Sequence, residues 1–509
     1  MKIHCLHAVA ISLLLPIAAA AQSLTGPPAN PQYKYSTEMP PGVKVPDSVD
    51  TRIGTLRFFD GMPDQASADK LFDNLDFQRA VQAYLFAIPG VSQAANRNAF
   101  KEFGPLNTVL PIFEQLQDAR TIILTPNDNT VYNWLWIDVT NGPLVLEVPP
   151  GVLGAINGMW QHWVTDIGIT GPDKGKGGKY LFVPPGYKGK VPSGYFVVQA
   201  PTYSLWAPFR GFLENGSPKP AVARVKAMTR IYPLADADKP HPPLKFVNMS
   251  GKPFNTIYPT DFRFWELLNE VVQKEPADSL DPTQLGLFRS IGIEKGKPFS
   301  PDARMKKILT DALAVGDATS RAIMFHTRAK DAYLYPDSYW QLPFTGGYKF
   351  EAAPGVSDLD AAAFYYTLAV MVTPAMEAKM VGKGSQYAWT ARDAKGQPLD
   401  GGKNYKVHLP PNAPAKDFWS MILYSDQTRS MIQTDQQFPS VSSQTAGLQK
   451  NADGSIDVYF GPKAPAGKES NWAQTAPGTG WNVVLRLYGP LEPWFNKTWR
   501  PGEIQPVPQ

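Results

Sequence analysis

Between Thr125 and Asp138 the chain reads Thr-Pro-Asn-Asp-Asn-Thr-Val-Tyr-Asn-Trp-Leu-Trp-Ile-Asp, and no other stretch limits the possible folds so strongly. From Val131 onward the residue types alternate with a period of two, the pattern of a strand with two unlike faces. Val131, Leu135 and Ile137 make an aliphatic face that requires a core. Tyr132, Trp134, Trp136 and Asp138 make an aromatic face ending in a carboxylate. Ahead of them Asn127, Asp128, Asn129 and Thr130 form a loop rich in groups able to fix a polar ligand. Asn141-Gly142 then leads into the run 144–148, and Asn-Gly between hydrophobic runs predicts a hairpin. Symmetric pairing about that turn puts Glu147 beside Trp136, although Pro143 cannot donate the closing backbone bond. Large aromatics usually pack in cores, whereas Asp and Glu are costly to bury unpaired. The stripe is therefore either a ligand platform or the underside of another layer.

Lys2, an apolar run from Ala8 to Ile17 and Ala19-Ala20-Ala21 before Gln22 have the layout of a secretory signal peptide cut after Ala21, which predicts a periplasmic or secreted protein. The longest later apolar run, Ala361 to Val372, is too short to cross a bilayer and predicts a buried helix. Cys5 is the single cysteine and lies inside the signal, so the mature chain has no thiol nucleophile, iron–sulfur cluster or disulfide. Its stability must come from burial, in two or three domains at this length. With 49 basic and 45 acidic residues the charge is too balanced to point to nucleic acid or an anionic membrane. The 41 glycines and 50 prolines, without a repeat, suit a loop-rich β protein.

Along the chain, residues 22–50 predict an extended leader. The spacing of Phe77, Ala80, Val81, Tyr84, Leu85 and Ile88 predicts a helix from Asp76 that Pro89 stops. The stretch 159–166 predicts a strand with Trp160, His162, Val164 and Asp166 on one face and Gln161 among them as a further ligand candidate. His162 and Asp166 stand roughly 13 Å apart on such a strand, too far for a direct hydrogen bond. Gly171 to Gly178 predicts a flexible hairpin connection, and Arg210 in the strand-like region 206–212 is a candidate anion clamp. Thr260-Asp261 opens a helix through Lys274, and Ser300-Pro301 opens another that ends at Gly316. The last third returns to strands at 418–424, 456–460 and 482–488, with a tight turn at Asn451–Gly454. Trp419, Tyr424, Asn471, Trp472 and Arg486 are ligand candidates there.

The run from Thr125 to Asp138 with Gly142-Pro143 resembles the signature of domain of unknown function 1254. Phe418-Trp419-Ser420, Tyr424, Asp453-Gly454-Ser455, Asn471-Trp472, the run 485–488, Pro490 and Trp499-Arg500-Pro501 resemble domain of unknown function 1214. Residues 291–299 also fit, so the resemblance spans nearly the whole mature chain. It implies an exported bacterial protein, mainly β with a helical middle: a β domain over 51–230, a helical linking region over 231–380 and a second β domain over 381–509, both jelly-roll or β-sandwich-like. His162-Trp163 departs from the smaller residues that relatives carry there.

Common catalytic signatures are missing: no Gly-x-Ser-x-Gly elbow, no His-Glu-x-x-His, no Walker loop and no dinucleotide fingerprint. The mature chain has His162, His241, His326 and His408, widely spaced, so neither a metal nor a cofactor is expected. One reading is an enzyme acting on a carbohydrate or a small cyclic or aromatic compound, with Asp128, Asp138, Glu147 and Asp166 as acid and base candidates. Glycoside chemistry would need two of them roughly 5 to 9.5 Å apart. A second reading is a non-catalytic periplasmic or envelope protein in which Tyr132, Trp134 and Trp136 stack on rings while Asn127 and Asn129 fix hydroxyls. In a third, the Asn-Asp-Asn loop is a structural corner whose side chains cap nearby main chain. The partner in the first two is a small molecule or oligosaccharide, and a homo-oligomer is possible.

Overall fold

The computed structural model describes residues 33–241 and 244–508, so the signal peptide and the leader up to residue 32 lie outside the described residues. The chain divides between Asp76 and Phe77 into two units. The first holds an antiparallel meander of Ser48–Thr51, Gly54–Phe59 and Met62–Pro63, and the start of a helix that spans Gln65–Lys101.

The second unit is built on four large sheets and a set of helices. Strands Lys245–Asn248, Val109–Ile112, Val131–Asp138, Ser204–Gly211, Val152–Gly158 and Trp163–Gly168 make a six-stranded inner sheet in that order. A four-stranded outer sheet runs Phe196–Gln199, Gly178–Val183, Leu144–Val148, Arg230–Pro233. Val131, Leu135 and Ile137 from the inner sheet meet Leu144, Leu146 and Val148 from the outer one in one aliphatic core. The C-terminal part repeats the arrangement. Its inner sheet orders Ser385–Thr390, Trp481–Pro490, Ala415–Ser425 and Ser440–Ser442, and its outer sheet Trp472–Gln474, Ile456–Gly461, Asn404–Leu409 and Gln505–Val507. Met421, Leu423, Val483, Leu485 and Leu487 fill the core between them. The helices cover what the outer sheets do not. Residues from Gln65–Lys101, Arg263–Lys274, Ala303–Phe325 and Leu359–Leu368 join the second faces of both inner sheets in the largest core. Among the described residues no helix is long and apolar enough to cross a membrane.

Five local expectations are corrected. The 131–138 and 144–148 strands do not form a hairpin: the first pairs with 204–211 and the second with 178–183 and 230–233. Asp138 accepts a hydrogen bond from Thr140 N at 2.9 Å and turns the chain out of its sheet, and Pro143 has no N–H to close a two-residue turn. The strand thus folds over its own core instead of beside it, and Glu147 comes opposite Lys179 and Arg230, away from Trp136.

The first long helix runs through Pro89 to Lys101. Proline removes only the bond to the Leu85 carbonyl, and Gly90 beside it admits Trp160, whose ring would lie 2.5 Å from a Cβ there. Gly316 likewise does not end its helix, which continues to Phe325; a Cβ at Gly316 would meet the Tyr84 ring at 2.5 Å, so glycine serves close packing there. Residues 159–162 are a turn between strands, with Gln161 at φ 61°. That turn is held by Gln161, which donates from Nε2 to Pro89 O at 3.3 Å and accepts from Met371 N at 2.8 Å. The Gly171–Gly178 loop crosses from the inner to the outer sheet and is no hairpin; buried Asp173 organises it by accepting from Gly168 N, Gly177 N and Tyr180 Oη.

Candidate functional site

Strand register builds the site before any side chain is considered. In the N-terminal inner sheet Tyr132 stands opposite Arg210, Trp134 opposite Pro208 and Trp136 opposite Trp206. In the C-terminal inner sheet Arg486 stands between Tyr387 and Ser420, and Tyr488 between Ser385 and Phe418. Leu485 and Leu487 point into the outer core, so the period of two turns Arg486 and Tyr488 the other way. The two inner faces enclose a cavity of about 100 Å³ lined by Tyr132, Trp134, Arg210, Tyr387 and Arg486, with Tyr365 and Met371 supplied by the 359–368 helix and the segment after it.

Two arginines meet here. Arg210 donates to Tyr132 Oη at 2.9 Å and to Ser385 Oγ at 3.2 Å, and its guanidinium lies 5.3 Å from the Tyr488 ring centroid. Arg486 donates to Thr125 O at 2.9 Å and to Tyr424 Oη at 2.7 Å, and stands 5.5 Å from the Tyr387 centroid. Arg210 is 8% exposed and Arg486 6%. Among the described residues Arg486 Nε has no hydrogen-bond partner. Burial pushes the Tyr488 hydroxyl up to about 12, with Arg486 and Arg210 pulling against it, so this tyrosine is neutral at ordinary pH and does not cancel either charge.

The Asn-Asp-Asn loop closes the site on one side. Asn127 donates from Nδ2 to Tyr488 Oη and accepts from Asn129 N at 2.7 Å, while Tyr424 Oη donates to Pro126 O at 2.7 Å. Asn129 is buried, and its Oδ1 has no partner among the described residues. Asp128 accepts from Ser440 Oγ at 2.6 Å. Its carboxyl is pushed up to about 6 by burial, against the pull of Ser440 and, more weakly, Arg486.

The four candidate carboxylates are held apart by their partners. Asp138 binds Lys274 Nζ at 2.6 Å; burial alone would raise its carboxyl, but Lys274 and Thr140 together hold it below the usual range. Glu147 accepts from Tyr232 Oη at 2.8 Å at the outer sheet. Asp166 accepts from Thr373 Oγ1 at 2.6 Å and Trp163 Nε1 at 2.8 Å, and burial pushes it up. None of the four lines the cavity.

Among the aromatic candidates, Trp134 reaches the cavity edge, while Trp136 is packed against Trp206 and donates to Asn96 Oδ1 at 3.3 Å. Trp419 is buried in the outer core. Asn471 is buried and ties Gln449 and Asp457 main chain together, and Trp472 Nε1 donates to Gly461 O. His162 lies instead on the lining of a second, larger cleft, together with His326. Among the described residues no three His, Asp or Glu side chains gather as metal ligands.

Sequence reasoning named Arg210, Tyr424 and Arg486 separately and did not foresee that they converge; it passed over Tyr365, Tyr387 and Ser385. The available signal was Arg486 itself, a charge in the middle of the apolar run 483–487.

Residues 106–233 match the model of the family described as "Protein of unknown function (DUF1254)", and residues 384–492 that of "Protein of unknown function (DUF1214)". The fold is shared with the crystal structure of the VPA0106 protein from Vibrio parahaemolyticus, at 20% identity and TM-score 0.54 over 85% of this chain and 100% of that one. A putative uncharacterized protein from Burkholderia cenocepacia aligns at 14% identity and TM-score 0.38, over 86% of this chain and 96% of that one. No curated protein matches the chain.

Proposed function

We propose that this chain, in which a DUF1254 segment precedes a DUF1214 segment, is an exported small-ligand protein that binds a compact anion between Arg210 and Arg486. We further read its two pairs of sheets as jelly-roll-like scaffolds for that site. One observation carries the proposal: two buried guanidinium groups line one cavity, and among the described residues neither is ion-paired with a carboxylate. Burying an unpaired charge costs several kcal/mol. Tyrosine hydroxyls, main-chain carbonyls and ring faces offset part of that cost. The remaining positive potential, between two largely buried guanidinium groups, favours an anion. The size is also selective, because this cavity, at about 100 Å³, is smaller than the roughly 150 Å³ that holds benzene, and so fits only a compact anion.

Thermal melting of the protein with acetate, nitrate and phosphate, against acetamide and ethanol, tests the reading. The anions should raise the melting temperature as their concentration rises, by mass action, and Arg210→Gln should abolish the rise. Equal effects of acetate and acetamide would reject it. A second reading, an enzyme using a carboxylate as acid or base, is favoured by Asp128 alone, whose carboxyl burial pushes up to about 6 against a weak pull from Arg486. Following acetate esters and oligosaccharides by mass spectrometry with wild type and Asp128→Asn decides it: turnover lost in the variant supports catalysis.

A further inference from the structure

We propose a second binding site, for an elongated, largely apolar molecule that carries an uncharged hydroxyl, in the cleft between the long helices. Its volume is about 1070 Å³, just above the roughly 300 to 1,000 Å³ found for ligand pockets. Three helices supply apolar walls: Leu85 and Phe86 from 65–101, Ala322 and Ile323 from 303–325, Ala363 and Tyr366 from 359–368. Trp163, 36% exposed and set edge-on to Tyr348 at 5.7 Å, borders it.

The charges around the cleft do not call for an ionic ligand. Arg328 is bound to Asp360 at 2.7 Å, and Asp358 caps the 359–368 helix by accepting from Ala361 N at 2.9 Å. Lys349 lies exposed over the Tyr348 ring, 5.9 Å from its centroid. Charged lining groups therefore balance, two basic and two acidic, in contrast to the two arginines of the smaller cavity.

What the walls offer instead are uncharged polar groups: Gln82, Gln284, Thr319, Ser357 and His326 all line the cleft. Arg392 Nη2 stands 3.0 Å from His326 Nδ1. A guanidinium can only donate, so Nδ1 accepts and Nε2–H is the donor left to the ring. On the 65–101 helix Pro89 has no N–H to give the Leu85 carbonyl, and both residues line the cleft. An uncharged hydroxyl can accept from the one kind of group and donate to the other; a carboxylate can only accept.

The test uses the full chain and N-phenyl-1-naphthylamine, an uncharged apolar dye that fluoresces when sheltered from water. Saturable fluorescence at one dye per chain is expected, displaced by 1-decanol about tenfold more effectively than by decanoate, the difference of one good hydrogen bond. Ala322→Trp, at an exposed wall position, should abolish dye binding with an unchanged melting temperature. Thr319→Tyr on the same helix is the same test should that variant melt early. His326→Ala should keep the dye and weaken displacement by decanol and by decanoate alike, while Arg210→Gln should change nothing. Dye binding that survives both wall variants overturns the site; decanoate displacing as well as decanol overturns the ligand class.

Discussion

The inner faces of the two halves use the same alternation and arrive at opposite interiors. In the N-terminal sheet the stripe runs from Tyr132, half-buried at the cavity, through Trp134 to Trp136, which is packed dry against Trp206. In the C-terminal sheet Asn482, Val484, Arg486 and Tyr488 occupy the equivalent stripe, with a charge at its centre. A period of two fixes which way a side chain points; what covers it is decided elsewhere in the chain. The 65–101 helix meets Trp136 through Asn96, whereas Arg486 faces the cavity, across which stand Tyr365 of the 359–368 helix and Met371. Trp136 sits where the cover is tight and Arg486 where a cavity is left.

The sharpest way to break this comparison is to remove the dry end of the first stripe. Trp136→Ala should destabilise the protein by about 3–5 kcal/mol, the cost of emptying a core position of that size. The urea midpoint at constant slope measures it. A loss under about 1 kcal/mol would mean that Trp136 is not held by packing, and the ligand-platform reading would return.

Arginine replacements come next and should differ from each other. Arg486→Met strips the donor from the Thr125 carbonyl and the Tyr424 hydroxyl, so about 3 kcal/mol is expected. Arg210→Met leaves two hydroxyls, Tyr132 and Ser385, which rotate to other partners, and should cost about 1–2 kcal/mol. Equal losses would show that the main-chain clamp made by Arg486 contributes nothing special.

Asp128 adds a pH dependence of comparable size. Its carboxyl titrates near 6 in the folded chain against an ordinary 3.8, so the folded state holds this proton more tightly than the unfolded one. The associated stability is complete below about pH 4 and is lost as pH rises through 6. A rise of about two pH units at roughly 1.36 kcal/mol per unit gives ~3 kcal/mol as an upper bound. Asp128→Asn should therefore gain on wild type by up to that amount between pH 3.5 and 7.5. A pH-independent difference in unfolding free energy would show that the Ser440 hydrogen bond already holds the carboxylate charged.

Much of this frame was legible in the residues. The alternation at Val131–Asp138 placed one aliphatic face, the composition of 482–488 placed a strand, and the quoted motifs placed the two matched segments. What stayed hidden was whatever depends on a distant cover. Pro89 and Gly316 were legible as breakers because local propensity says so, yet Trp160 and Tyr84 pack against that spot and decide otherwise. The Asn141-Gly142 turn signalled a hairpin, and a core needing both strands face to face overrode it. Arg210 and Arg486 stand 276 positions apart in the numbering; no local pattern could bring them into one chamber.

The smallest effect separates the roles that Tyr132 combines. Its ring lies beside Arg210, with the guanidinium 5.8 Å from the centroid, and its hydroxyl accepts from Nη1. Tyr132→Phe keeps the ring and removes the acceptor, so stability should fall by about 1 kcal/mol or less. The guanidinium then has one neutral partner fewer, and the acetate-dependent rise in melting temperature should persist or grow. If the rise vanishes instead, the hydroxyl was holding Arg210 in its binding pose, and the two inner faces act on the ligand as one hydrogen-bonded unit joined through Ser385.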